Sequence, residues 1–269
     1  MGAMASDRAP GLRPRILVRR PSPGLAAGEV THLERSPIDP ALALEQWHGY
    51  VEAFRVRGWS VTEIEPADDH PDGVFVEDTV VVFDDLAVLT SPGAASRRGE
   101  VDSTARTLAT LNGQGLGLDI AQITPPGTLD GGDVLKIDRT AYVGVGSRTN
   151  AEAVRQLTDH LEPRGWRVVG TPVTTVLHLK SGATALPDGT AIGWQPLSDA
   201  PSPFPTFLSV PEDHGTAVVD LGGGAILMSA DAPRTAELFR TRGLDVVTVP
   251  ISEFELLEGC VTCLSVRLR

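Results

Sequence analysis

A thiol, an imidazole and a carboxylate are the groups that covalent catalysis by a Cys–His pair requires, and this chain carries each in a distinctive local setting. The thiol is Cys263, six residues from the C-terminus, in Gly259-Cys260-Val261-Thr262-Cys263-Leu264-Ser265. The imidazole is His178 in Leu177-His178-Leu179-Lys180-Ser181, and the carboxylate is Asp130 in Leu129-Asp130-Gly131-Gly132-Asp133. Each segment also has a plain structural reading. A free cysteine among Val261, Leu264 and Val266 reads as a small buried hydrophobe in a terminal strand. His178, in an alternating stretch at a strand end, reads alone as a satisfied core histidine. Asp130 before two glycines reads equally well as part of a hairpin turn, with Asp133 serving backbone donors. Their occurrence together gives weight to the chemical reading, because a reactive thiol needs a base or cation beside it and an open site.

A further run, Asp72-Gly73-Val74-Phe75-Val76-Glu77-Asp78-Thr79, places carboxylates in an apolar setting. Read as a strand, it puts Phe75 and Glu77 on one face and Val74, Val76 and Asp78 on the other. Carboxylates there are expensive to bury without a partner. A guanidinium group fits, being planar, cationic and forked; it belongs either to a ligand or to an internal arginine. Arg97 and Arg98 follow Gly93-Ala94-Ala95-Ser96, and Arg148 follows Gly144-Val145-Gly146-Ser147. They are suited to pairing with a substrate carboxylate, or else they are solvated surface residues.

Composition narrows the class. With 23 Lys+Arg against 35 Asp+Glu, the net charge of −12 argues against a phosphate-neutralising nucleic-acid surface and favours approach of a cationic small molecule. No run approaches the roughly 18 apolar residues of a membrane span, and no stretch resembles a signal peptide, so a cytoplasmic protein is expected. Met1-Gly2-Ala3-Met4 reads as a vector remnant, so residues 1-10 are set apart from a single domain over 11-269. The Cys-x-x-Cys spacing lacks the second pair or histidines of a zinc site, and it sits in an expected strand rather than at a helix start as in redox pairs. Gly222-Gly223-Gly224 is no phosphate loop, and no cofactor is expected.

The elements that must position these groups recur. Helices are expected over Pro40–Arg57, Glu100–Leu111, Asn150–Leu161 and Pro233–Arg242, where apolar residues fall at helical spacing. Strands are expected at 15–19, 60–65, 74–83, 86–90, 133–137, 141–144, 166–169, 217–221, 225–229 and 246–250, with hairpin character over Thr184–Trp194. The order hairpin, helix, strand returns at a period of roughly 50 residues, as in radial repetition, and about five units fit. An ordinary mixed α/β sandwich is the alternative.

The segments Asp72–Val82, Thr90–Arg98, Leu129–Leu135, Val143–Asn150, Leu177–Ser181 and Thr262–Val266, in that order, together resemble the dimethylarginine dimethylaminohydrolase family of the guanidine-modifying superfamily. The resemblance implies an α/β fold: a single-domain five-bladed α/β-propeller (pentein) with pseudo-fivefold ββαβ repeats around a polar centre. It implies Cys263 as nucleophile, His178 as general acid/base and Asp130 as its support. Asp72, Glu77 and Asp78 would serve the guanidinium side and the local geometry, and Arg97 and Arg148 the amino-acid carboxylate. Val30 falls where the family has a mobile lid, and Leu257 near its backbone contacts to substrate. The implied reaction is hydrolysis of N-omega-methylated L-arginine to L-citrulline and an alkylamine, without metal or cofactor. The sequence leaves the oligomeric state open. Leu264 stands where some relatives have a second, adjacent cysteine, and Cys260, off the nucleophile position, is expected to be structural. Rival readings are an arginine deiminase or amidinotransferase of the same superfamily, and a noncatalytic propeller that only binds.

Overall fold

Short valine- and leucine-rich strands, rather than long ones, carry the β-structure of the computed structural model, which describes residues 13–195 and 203–269. The expected remnant at 1–10 and part of the proline-rich loop at 201–205 lie outside the described residues. The chain runs β1 (Arg15–Val18), α1 (Pro40–Arg55), β2 (Ser60–Glu63), β3 (Val80–Phe83), β4 (Leu86–Leu89), α2 (Glu100–Gly113) and β5 (Asp119–Gln122). Then come β6 (Val134–Ile137), β7 (Thr140–Val145), α3 (Ala151–Leu161), β8 (Arg167–Pro172), α4 (Leu179–Gly182), β9 (Ala183–Ala185), β10 (Ala191–Gly193) and β11 (Phe207–Ser209). The last elements are β12 (Val218–Gly222), β13 (Ala225–Ser229), α5 (Pro233–Thr241), β14 (Asp245–Val249), α6 (Ser252–Glu255) and β15 (Val266–Leu268).

These strands make five three-stranded sheets with one internal plan: an antiparallel pair, then a parallel third strand. A parallel neighbour needs a crossover connection, and α1, α2, α3 and α5 supply it in four of the five sheets. Between β10 and β11 no helix occurs among the described residues. In the first sheet the antiparallel partner of β1 is β15, so the two ends of the chain complete one unit.

Local sequence explains the helices. Pro40 opens α1, Asp39 accepts from the Ala41 and Leu42 amides, and Ala43, Trp47, Tyr50, Val51 and Phe54 form its buried stripe. In α3 the cap is Asn150, and Ala153, Leu157 and Leu161 bury on one side. No helix among the described residues is long and apolar enough to cross a membrane.

Three strand expectations need correction, all at candidate site residues. The run 74–83 is extended only over β3, because Val76–Thr79 is a 3-10 turn closed by the Thr79 hydroxyl on the Val76 carbonyl. Cys263 lies in a turn before β15, with its amide bonded to the Cys260 carbonyl, and not within a strand. His178 does not end a strand; it directly precedes α4. The corrections share a pattern. Turns at Val76–Thr79, Gly131–Asp133, Leu179–Gly182, Asp213–Thr216 and around Cys263 each lead into the first strand of a sheet, so the chemical side chains occupy equivalent places in the repeat.

Candidate active site

The turn before β3 supplies an acidic wall. Asp78 is buried; its Oδ2 accepts from Arg97 Nη1 at 2.6 Å and its Oδ1 from the Gly132 amide at 2.7 Å. Burial alone would raise its pKa, but His178 and Arg97 hold it down to about 2. Arg97 also grips Glu100 in a two-point contact of 3.1 and 2.8 Å and donates to the Phe75 carbonyl at 3.1 Å. All three of its guanidinium nitrogens are thus engaged by the protein. It lines the cavity, but in this state it is the internal partner of the acidic run rather than a free carboxylate receptor. Asp72 accepts the Glu29 amide at 3.1 Å with both oxygens, and burial raises its pKa although Arg97 opposes that.

The next turn carries the imidazole's support. His178 Nε2 lies 2.9 Å from Asp130 Oδ2, and Asp130 Oδ1 accepts the Gly93 amide at 2.9 Å. Asp133 accepts the Leu179 amide at 2.9 Å and the Thr149 hydroxyl at 2.6 Å, fixing the backbone beside His178. Burial pushes Asp133 up to about 6. Burial works against charge on His178 too, yet Asp78, the Asp130 hydrogen bond and Asp133 together lift it to about 9, so it is an imidazolium at neutral pH. Gly132 is needed here: a Cβ would come within 2.7 Å of His178 Nδ1 and 2.9 Å of Asp78 Oδ1.

Cys263 is buried and lines the same small cavity as Phe75, Asp72, Asp78, Arg97, Arg148, Leu177, His178, Leu257 and Gly259. Gly259 sits flush against the Phe75 ring, where a side chain would collide. The Cys263 thiol lies 3.4 Å from Cys260 Sγ. That hydrogen bond, burial and the fields of Glu77 and Asp78 push its pKa well above the usual thiol value.

Glu77 requires a correction. Its carboxylate points away from this cavity and is taken up by Lys180 and Arg267 at 2.7 Å each and by the Thr262 hydroxyl at 2.7 Å. The 3-10 turn, rather than strand alternation, sends Glu77 and Asp78 to opposite sides. Glu77 therefore braces the Thr262–Cys263 backbone, accepting the hydroxyl while its own amide donates to the Cys263 carbonyl at 3.2 Å.

Over the cavity lies the segment around Val30. Val30 itself packs onto the core beside α1, so the expectation that it faces the site shifts by one residue: Glu29 does. Glu29 pairs with Arg148 Nη2 at 2.7 Å and with the Ser96 hydroxyl. At the other end, Glu258 gathers the amides of Thr31, His32 and Leu33. Neither acid was singled out by sequence. Glu258 gives a local cue only in its backbone, with φ at 60°, unusual for a non-glycine residue. Leu257 is buried and lines the cavity as expected. What space remains is about 20 Å³, room for little more than one water.

Asp78, Asp130 and His178 offer ligand atoms within 4.8 Å of one another, the only such trio among the described residues. Their oxygens already serve Arg97, Gly132, Gly93 and His178, so the charge a metal would neutralise is met by the protein.

The family model described as N,N dimethylarginine dimethylhydrolase, eukaryotic, matches residues 33–180. The chain is 59% identical over 255 residues to the N(G),N(G)-dimethylarginine dimethylaminohydrolase of Streptomyces coelicolor, covering 95% of this chain and 97% of that one. It is 32% identical to the enzyme of that name from Pseudomonas aeruginosa, covering 94% and 98%. A crystal structure of a dimethylarginine dimethylaminohydrolase adduct with S-methyl-L-thiocitrulline superposes with a TM-score of 0.86 at 30% identity, covering 94% of this chain and 99% of that one. A mutant of the Pseudomonas aeruginosa enzyme complexed with citrulline gives the same score at 30% identity, covering 94% and 98%. The chain belongs to the dimethylarginine dimethylaminohydrolase family.

Proposed function

We propose that this protein hydrolyses N-omega-methylated L-arginine to L-citrulline and an alkylamine through a covalent intermediate on Cys263. The observation that carries the reading is the meeting of Cys263, His178 and Asp78 in one cavity from three separate turns. Asp78, with Asp72 beside it, is the anionic wall that holds a planar guanidinium. Arg148 receives the substrate carboxylate once Glu29 leaves it, and Arg97 keeps Asp78 ionised and aimed while adding positive field. Leu257 contributes the backbone wall beside the amino-acid end.

In the unliganded protein Cys263 holds its proton, since its hydrogen bond to Cys260, burial and the fields of Glu77 and Asp78 oppose a thiolate. A guanidinium seated against Asp78 offsets the carboxylate part of that opposition and adds its own positive charge, so binding favours ionisation. The thiolate attacks the guanidinium carbon and a C–S bond forms. His178, charged and oriented by Asp130, gives its proton to the departing amine as the C–N bond breaks. Neutral His178 then takes a proton from water, the hydroxide adds to the thiouronium carbon, and the C–S bond breaks to release citrulline. Holding both reactants at attack distance contributes roughly several kcal/mol.

The catalytic unit in this reading is residues 11-269 as one domain, with the five like sheets closed into a propeller through the β15–β1 pairing of the chain ends. The expected partner is a small arginine-derived molecule, in keeping with the net negative charge, and the expected location is the cytoplasm. Product analysis with free, monomethylated and dimethylated arginine, with and without acceptor amines, tests the reaction. Citrulline and alkylamine from the methylated substrates are expected. Ammonia from free arginine alone would point to a deiminase, and transfer to the acceptor to an amidinotransferase. A folded Cys263→Ser protein turning over near the normal rate would refute the nucleophile.

A further inference from the structure

Cys260 has no part in the mechanism above, yet it touches the sulfur that does. The two thiols are free and their sulfurs are 3.4 Å apart, in a turn closed by the Cys263 amide on the Cys260 carbonyl. They face different spaces. Cys263 lines the catalytic cavity, whereas half-buried Cys260 lines a neighbouring cavity of about 230 Å³ with Leu177, Ser229, Ile251 and Glu255. Leu177, Glu258 and Gly259 form part of both walls. A small oxidant therefore has a route to Cys260 that does not pass beneath Glu29.

We propose that Cys260 is an oxidation site that captures the nucleophile as a Cys260–Cys263 disulfide, switching the enzyme off reversibly. The inference rests on Cys263 being the nucleophile. A disulfide sets its sulfurs about 2.05 Å apart, so contact at 3.4 Å leaves a closure that side-chain rotation in an i, i+3 turn can make. The hydrogen bond from Cys263 pulls Cys260 down to about 7 against the opposing effect of burial, which gives Cys260 the thiolate character that oxidation selects.

With hydrogen peroxide as oxidant the step balances. The Cys260 thiolate attacks one peroxide oxygen, the S–O bond forms as O–O breaks, and hydroxide leaves to be protonated as water. Cys263 then attacks the sulfenic sulfur; S–S forms, S–O breaks, and the second oxygen leaves as water with the thiol proton. Two thiols have lost two electrons and two protons, and peroxide has become two waters. A dithiol reductant reverses the change by thiolate attack on the disulfide.

The test treats the full chain with metal-free hydrogen peroxide, follows turnover, and maps cysteines by mass spectrometry after alkylation under denaturing conditions. Expected is a peptide two hydrogens lighter, resistant to alkylation at both cysteines, that accumulates as turnover falls and vanishes when dithiothreitol restores it. Cys260→Ser, compared with its own turnover before oxidation, should lose activity more slowly and fail to recover with dithiothreitol, because unprotected Cys263 proceeds to the sulfinic acid. Loss of activity in the wild type with both cysteines still alkylated, or with the same rate and recovery as Cys260→Ser, would overturn the proposal. Quantitative disulfide with undiminished turnover would uphold the thiol pair while removing Cys263 from the mechanism. The wild-type mapping decides the matter even where the variant does not fold.

Discussion

The turns beneath the cavity and the segment above it are both held by charge, but in opposite physical settings. Below, Asp78, Arg97, Glu100, Asp130 and His178 are almost wholly buried, and Asp78, Arg97 and Asp130 each have two or more partners. Above, the Glu29–Arg148 pair joins a side chain 39% exposed to one 10% exposed, and the Glu258 contacts lie at the exposed rim. Removing one member of a buried network strands a charge without solvent, whereas an exposed pair exchanges its partner for water at little cost. In the proposed reading the fixed groups aim the chemistry, and the loosely held segment covers a cavity that admits about one water.

The largest expected effect follows from that contrast. Arg97→Ala leaves Asp78 and Glu100 buried without their cation and should cost about 3–5 kcal/mol of stability. The shift in urea midpoint measures it, and a loss below about 1 kcal/mol would mean the wall is as forgiving as the lid.

His178 gives the same contrast a pH signature. Its folded pKa of about 9 exceeds the ordinary 6.5, so its ionisation contributes stability fully below pH 6.5 and loses it as pH rises through about 9. Turnover should fall over the same upper range, since the acid that protonates the leaving amine is disappearing. Asp130→Asn removes the carboxylate bonded at 2.9 Å, so the upper limb of the kcat profile should move toward neutrality while kcat falls roughly 10²–10⁴-fold. An unmoved limb would detach His178 from that limb, or Asp130 from His178.

The same division decides what the sequence disclosed. Helices α1, α3 and α5 were legible because a cap or N-terminal proline and an apolar stripe are local features, and the hairpin-helix-strand unit follows from their order. Cys263, His178 and Asp130, the trio of the proposed mechanism, were legible as residue types, but their backbone was not. Alternation put Glu77 and Asp78 on opposite faces, as found, but wrongly grouped Phe75 with Glu77, since a carbonyl-rich turn wrapped about Arg97 cannot be distinguished locally from a strand rich in valine. Glu29 and Glu258 were not read at all. Their roles depend on a contact across 119 residues in one case and on bonds across more than 220 in the other, and nothing in Gly28-Glu29 or Glu258-Gly259 announces them.

Arg148 stands where the two regions meet. As receptor for the substrate carboxylate it should contribute a charge-assisted hydrogen bond, about 1.5–3 kcal/mol. Arg148→Ala should therefore raise KM by roughly 10–100-fold with a much smaller change in kcat. An unchanged KM would remove the carboxylate from this position and leave Arg148 as only a latch for Glu29.

Glu29 is expected to show the smallest effect, and its sign is the informative part. Its carboxylate occupies the Arg148 guanidinium that the proposed mechanism gives to the substrate, and against partial burial Ser96 and Arg148 hold its pKa below the ordinary value. A pair with one exposed member, whose loss leaves water access to that member, is worth roughly 1 kcal/mol. If Glu29 acts chiefly as a competitor, Glu29→Gln should lower KM by up to about fivefold and leave kcat nearly unchanged. A rise in KM would mean that the same contact closes over bound substrate and helps retain it. In that case the upper segment would belong to the binding machinery and not merely to its entrance.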